Sequence, residues 1–359
     1  MTEIWAFGYN ARAADIAPRA RAYEAAGFDG YLITDSQNLW MECWVALTVV
    51  AQVTERMGVG VYVTNPITRH PAVTASSAAT LQELSDGRVL LGVGRGDSAL
   101  ANIGFGLVPL AGFEVYLVRL QGYLRGEDVP FDHRADPFDV PHIDALGYGK
   151  AAPASKIRWL PTERPKVPVD IAASGPRVIE LAARHADGVT LAVGADVERL
   201  QDGIRAARQA REDAGLDPAS LAVSALVPVA VNPDLEVAQG MAAGGVASIG
   251  RWLVQQRSAG TMRLDDQTRD ELLAATASYD MTRHGETATT QATVLTPAVV
   301  DRFAVVGPPD RCVERLRPLL DLGLSKIILS PQARGAEPAL EETHRRLLLD
   351  EVLPRLRGA

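Results

Sequence analysis

Two aspartates stand at the ends of short apolar runs, Asp35 in GYLITDS and Asp97 in VLLGVGRGDS. Carboxylates in such places serve acid–base chemistry and, as a facing pair, glycoside hydrolysis, although nothing in the sequence sets their separation. The other run ends are glycine-rich or weakly polar: Gly8-Tyr9-Asn10, Thr34 to Ser36, VTNPITRHP, ASGPR and VGAD. A metal-dependent hydrolase needs clustered ligands such as an HxH pair. Phe7-Gly8-Tyr9 supplies none and the six histidines are scattered, so no metal is expected. A Schiff-base aldolase needs a lysine where a strand ends, and Lys326 stands where one begins. GVGRGD is no dinucleotide fingerprint, because the third glycine of GxGxxG falls at Asp97. What remains suits a bound organic cofactor. Backbone N–H groups at the helix starts of ASGP and VGAD, the latter with Gly194, fit a phosphate, and the strand before Asn65 offers a wall for a ring.

These positions need elements to hold them. EIWAFG reads as a strand, and DIAPRARAYEAAGFDG as a helix with Asp15 as its N-cap and Gly27 as its stop. The unit recurs: YLITD with ECWVALTVVAQVTE, MGVGVYVTN with HPAVTASSAATLQELSDG, RVLLGVGRG with a helix near FEVYLVRLQGYL. It resumes through VPVDIAAS, GVTLAVG, LAVSALVPVAV and KIILS, each followed by a helical pattern. Eight strand–helix units predict a (β/α)8 TIM barrel, one domain over residues 1–359, with its site at the C-terminal ends of the strands. Two stretches break the rhythm, about 127–166 after strand four and about 240–305 between strands seven and eight. Both are expected to cover the barrel mouth, and Arg134, Arg158 and Arg164 of the first are candidates for an acidic substrate or cofactor tail, with solvated surface arginines as the plain reading.

Composition narrows the partners. With 47% hydrophobic residues the chain can bury a large core, and its net charge of −8 argues against nucleic acid. The longest apolar run, LAVSALVPVAV, is too short to span a bilayer, and MTEIWAFGYN lacks the basic-then-apolar start of an export signal. Two cysteines, Cys43 and Cys312, do not make a disulfide framework, so a reducing cytoplasm is expected. GRGDS spells an integrin-binding tripeptide, but it follows a buried-type strand, where no receptor would reach it.

VTNPITRHPAVTASSAATLQELSDGRVLLGVGRGD resembles the luciferase-like monooxygenase superfamily. TNPxTRHP followed by GxGxGD is most similar to its branch that uses the deazaflavin coenzyme F420, typified by methylenetetrahydromethanopterin reductase. The similarity extends through ASGPRVIELAARHADGVTLAVGA to VVGPPDRCVERLRPLLDLGLSKIILS. The resemblance implies a TIM barrel, often a homodimer, holding a tricyclic ring in its mouth. It puts Asp35 near the ring, and Tyr62 and Val63 at a strand-three bulge that often carries a non-prolyl cis peptide. Thr64 and Asn65 continue that wall, Gly94, Arg95, Gly96 and Asp97 line the ring's edge, and Ser174, Gly175, Pro176 and Arg177 hold the phosphate.

The chemistry implied is hydride transfer between F420 and a C=N, C=C or C=O bond, with Asp97, then Asp35, as the proton donor. FMN is the alternative cofactor, favoured by Arg95, because the luciferase side binds the FMN phosphate with an arginine in a comparable turn. That gives an FMN-dependent monooxygenase as the second reading and a non-catalytic flavin binder as the third. Ser36 replaces the histidine that sugar-phosphate dehydrogenases of the branch carry. Beside these stand plainer roles: helix caps or bonds to a loop backbone for Asp35 and Asp97, a structural His70 before the proline that opens helix three, and packing in place of a substrate wall for Trp40 and Trp44.

Overall fold

The computed structural model describes residues 1–9, 12–131, 140–141, 143–160, 163–254 and 264–358. Asn10 and Arg134 lie outside these residues. In the first half, β1 (Glu3–Gly8) leads to α1 (Ala13–Ala26), β2 (Gly30–Ile33) to α2 (Cys43–Val53), and β3 (Gly58–Thr64) to α3 (Pro71–Leu84). After β4 (Val89–Val93) come the one-turn α4 (Ser98–Ala101), α5 (Leu110–Leu124) and the one-turn α6 (Ile143–Leu146). β5 (Val169–Ala173) precedes α7 (Pro176–His185), and β6 (Gly188–Leu191) precedes α8 (Val197–Asp213). Behind β7 (Ala222–Val231) follow α9 (Leu235–Val254), α10 (Asp266–Ala277), α11 (Thr290–Thr293) and α12 (Pro297–Phe303). β8 (Val305–Gly307) with α13 (Pro309–Leu320), then β9 (Lys326–Pro331) with α14 (Pro338–Leu347), complete the order used below.

Every ladder is parallel, and pairings β1–β2, β6–β7, β7–β9 and β9–β1 close eight strands into the expected barrel. β8 is an addition to that expectation. It pairs only with Val229–Val231 at the end of the ten-residue β7, and so bounds the second insertion with regular structure. Strands covered by helices outside and by the packed lumen inside bury both faces, which is why they read as continuous apolar runs such as VLLGV and KIILS.

Inside the ring, bulk from one strand occupies the place of a missing side chain on the next. The Trp5 indole lies where a Cβ on Gly30 would stand 2.2 Å from its Cδ2, and where one on Gly58 would stand 2.5 Å from its ring edge. Tyr62 does the same at Gly92, where a Cβ would meet its Cδ2 at 2.4 Å. Trp5, Phe7, Leu32, Tyr62, Leu90 and Ile328 thus fill the lumen as one cluster, and the barrel is a packed core with space only near its mouth. One polar layer interrupts it: Thr190 Oγ1 donates to Asp170 Oδ1 at 2.7 Å, while Oδ2 is buried without a partner. Burial pushes the Asp170 carboxyl up to about 6, against the pull of the Lys326 charge and the Thr190 hydroxyl.

Local signals were read with mixed success. Gly27 does stop α1, at φ 94°. Asp15 is not its N-cap: Arg12 holds that place, and Asp15 sits in the first turn, where a carboxylate also favours the helix dipole. His70 is structural, as its plain reading had it, since its Nδ1 accepts the Ala72 N–H at 3.1 Å and caps α3. His344 on α14 accepts the Val231 N–H at 2.9 Å from the buried end of β7. Cys43 and Cys312 are free and buried. No helix among the described residues is long and apolar enough to cross a membrane, and no group of His, Cys, Asp or Glu among them could hold a metal ion.

Candidate active site

The C-terminal ends of the strands surround a cavity of about 570 Å³. Its floor is the lumen cluster, exposing Phe7 and Tyr62, and its sides are the strand ends and the turns that follow them. Of the residues singled out in the sequence, Asp35, Tyr62, Val63, Asn65, Gly94 to Asp97 and Ser174 to Arg177 all line it. Two do not. Thr64 is fully buried behind the wall, and Gly194, at φ 78°, turns against α12, where a Cβ would meet the Phe303 carbonyl oxygen at 2.5 Å.

The Tyr62–Val63 peptide bond is cis, and the β3–β4 register shifts between Val61 and Thr64. The bulge therefore lies where the resemblance put it. Just beyond, Asn65 Oδ1 accepts from Ile67 and Thr68 N–H, while its buried Nδ2 has no partner. At the other side α7 begins with Gly175 in an extended conformation and Pro176 in the first turn, so the positive end of the helix meets the cavity. Arg95 and Arg177 stand on the same side, and neither has an ion-pair partner among the described residues. Burial first, then the neighbouring Arg177 charge, lower the Arg95 pKa, a strain that an anion between the two guanidiniums would relieve.

Both candidate carboxylates are engaged by arginines. Asp35 Oδ2 accepts from Arg69 of the TRHP segment at 2.5 Å, and Arg69 also bonds Glu42. Asp97 Oδ2 accepts from Arg251 of α9 at 2.5 Å. Neither side chain caps a helix, so that plain reading fails as well: α4 receives only the Asp97 backbone carbonyl. Each carboxylate thus accepts a charge-assisted hydrogen bond at the cavity wall. Ser36 is buried, its hydroxyl 3.0 Å from that of Ser98.

The second insertion covers the mouth as expected. Gly245, Ser248, Ile249 and Trp252 of α9, with His284 and Gly285, form that wall. The first insertion lends no described residue to it; Arg164 instead pairs with Glu83 and Asp86 at the opposite end of the barrel, and Arg158 is exposed. Trp40 lines the cavity, its ring 4.8 Å from that of Tyr9 and 4.7 Å from the Arg334 guanidinium, whereas Trp44 packs into the core. Sequence reasoning missed Arg251, Tyr279, His284 and Gln332. The last was legible: Lys326, Ile328 and Ser330 alternate along β9, and Gln332 continues that alternation one residue past its end. Gln332 also explains Gly245, where a Cβ would stand 1.7 Å from its Oε1.

The family model described as luciferase-like monooxygenase matches residues 2–326. The chain belongs to this family. Among curated relatives, a 5,10-methylenetetrahydromethanopterin reductase of Methanolobus tindarius is 30% identical over 333 residues, spanning 91% of this chain and 93% of its own. An F420-dependent glucose-6-phosphate dehydrogenase of Beutenbergia cavernae is 29% identical over 376 residues, spanning 98% and 97%. The solved coenzyme F420-dependent tetrahydromethanopterin reductase of Methanopyrus kandleri superposes with a TM-score of 0.73 at 20% identity over 99% of each chain, a likeness of fold.

Proposed function

We propose that this member of the luciferase-like family is an oxidoreductase that moves a hydride between coenzyme F420 and a small organic substrate bearing a C=N, C=C or C=O bond. The observation that carries the reading is the cavity itself, closed below by packed rings and bounded on one side by a helix N-terminus with two uncompensated arginines. It is supported by full-length similarity to an F420-dependent dehydrogenase. The residues present fit such a cofactor. Arg95, Arg177 and the start of α7 would hold its anionic part, the unpartnered Asn65 Nδ2 would donate to it, and Tyr62 and Val63 would back its ring.

The cofactor supplies a hydride at one ring carbon when bound. The chain's part is to orient the substrate against that ring and keep water away, through the aromatic side chains of Phe7 in the floor, Tyr9 and Trp40 after β1 and β2, and Trp252 of the insertion. Asp35 fixes the TRHP segment through Arg69, and Asp97 anchors the insertion through Arg251. The protein acts as a cytoplasmic homodimer, and the exposed Val45, Val73, Val115 and Val118 on the neighbouring α2, α3 and α5 offer the apolar face.

Fluorescence titration with F420 and, separately, with FMN in one buffer tests the assignment. Micromolar or tighter binding of F420, weakened at least tenfold in Arg177→Ala, with FMN bound far more weakly, is the expected result. Preference for FMN would overturn it and make Arg95 the anchor of a flavin phosphate.

A further inference from the structure

His284 is the titratable side chain of the insertion that reaches the cavity without an opposite charge of its own. Its Nδ1 lies 2.9 Å from the Tyr279 hydroxyl, and that hydroxyl accepts the Gly285 N–H at 3.1 Å. In the tautomer in which Nδ1 takes the tyrosine proton, the ring proton is carried by Nε2. Nε2 has no partner among the described residues.

The surrounding charges are all committed. Asp97, from the β4–α4 turn, is paired with Arg251 of α9, and the Arg251 guanidinium carbon lies over the Tyr279 ring, 4.0 Å from its centre. Arg334, following β9, donates to the His284 carbonyl oxygen, stands 3.7 Å from Glu286 and covers Trp40. Among the described residues no guanidinium on this side is left for an anionic substrate, whereas the Arg95–Arg177 side has two. Burial first, then the Arg251 and Arg334 charges against that of Asp97, hold the imidazole down to about 4, so it stays neutral at physiological pH. A neutral N–H donor in an aromatic-walled pocket recognises an uncharged acceptor atom and leaves a phosphate or carboxylate uncompensated.

We propose that His284, oriented by Tyr279, is the donor that receives the carbonyl oxygen or imine nitrogen of an uncharged substrate, and that this network sets the substrate class. The inference rests on the F420 reading above. It assigns His284 a hydrogen bond to the substrate and no proton transfer; hydride and proton both come from elsewhere.

The test supplies the protein with reduced F420 as the hydride donor, with cyclohexanone, cyclohex-2-enone and 1-pyrroline as uncharged probes, and pyruvate and 2-oxoglutarate as anionic ones. Wild-type kcat/KM is expected to favour the uncharged set and to stay flat from pH 6 to 8. His284→Leu should lose about 100-fold in kcat/KM while its dissociation constant for F420 stays within twofold. His284→Gln, which returns an N–H near the Nε2 position, should recover much of that loss. In ¹⁵N-histidine-labelled protein carrying oxidised F420, cyclohexanone should move the His284 Nε2 signal. Preference for the anionic probes, an unaltered His284→Leu, or a stationary Nε2 signal would each overturn the proposal. Failure of the wild type to bind F420 would instead overturn the reading beneath it.

Discussion

Replacing His344 by Asn should remove much of the protein's sensitivity to mild acid. The side chain is 1% exposed on α14; Nδ1 accepts the Val231 N–H and Nε2 is buried with no partner. A proton added at Nδ1 would break the bond to β7 and place a charge in the core, so burial lowers the pKa to about 4. In the unfolded chain the value is about 6.5. The folded pKa being the lower, the unfolded state takes up the proton first as pH falls. Stability is fully present above about pH 6.5 and drains away between there and about pH 4. The full difference corresponds to about 3 kcal/mol, of which about 2 kcal/mol is lost between pH 7.5 and pH 5.

Asn at this position offers Oδ1 to the Val231 N–H and does not titrate. His344→Asn should be less stable than wild type at pH 7.5, because it leaves space beside β7. Urea unfolding at pH 7.5, 6 and 5 should then show the two proteins converging by about 2 kcal/mol. His284, also held down to about 4, contributes to both proteins and cancels in the comparison, as does Asp170 with its opposite sign. Parallel pH dependences for the two proteins would refute the account.

Two further outcomes test the lumen. Gly30→Ala forces a methyl to within 2.2 Å of the Trp5 ring and should cost about 1–3 kcal/mol in urea unfolding, with Trp5→Leu in the same chain restoring part of it; no loss would mean the indole is free to move. Asp170→Asn keeps the Thr190 hydrogen bond but removes a charge whose folded pKa is raised to about 6. The wild-type carboxyl weakens the fold as pH rises from about 4 through 6, so the variant should gain in urea midpoint at pH 8 relative to wild type and lose that gain by pH 4.

The barrel was legible because each strand is buried on both faces and each turn carries glycine, signals confined to a few neighbouring residues. The cavity walls at Gly94–Asp97 and Ser174–Arg177 were legible for the same reason, as they immediately follow β4 and β5. What each aspartate does was not. Arg69 lies 34 residues beyond Asp35, and Arg251 lies 154 beyond Asp97, so the ion pairs that convert two candidate acids into anchors depend on how distant elements dock. His284 escaped notice because it stands outside any strand or α-helix, and its meaning comes from Tyr279, Arg251 and Arg334 around it. Gly194 misled because the VGAD turn shares the form of the ASGP turn but packs against Phe303.

The Arg251–Asp97 pair joins two lengths of chain with separate histories open to them. The turns after β4 and β5 make one wall of the cavity, while residues of α9 with His284 and Gly285 make another. A descendant could exchange the second length wholesale and inherit the first untouched, gaining a new wall at the mouth without rebuilding the turns that follow β4 and β5. The condition on such a transplant is written at position 97: whatever segment arrives must bring a cation to meet that carboxylate.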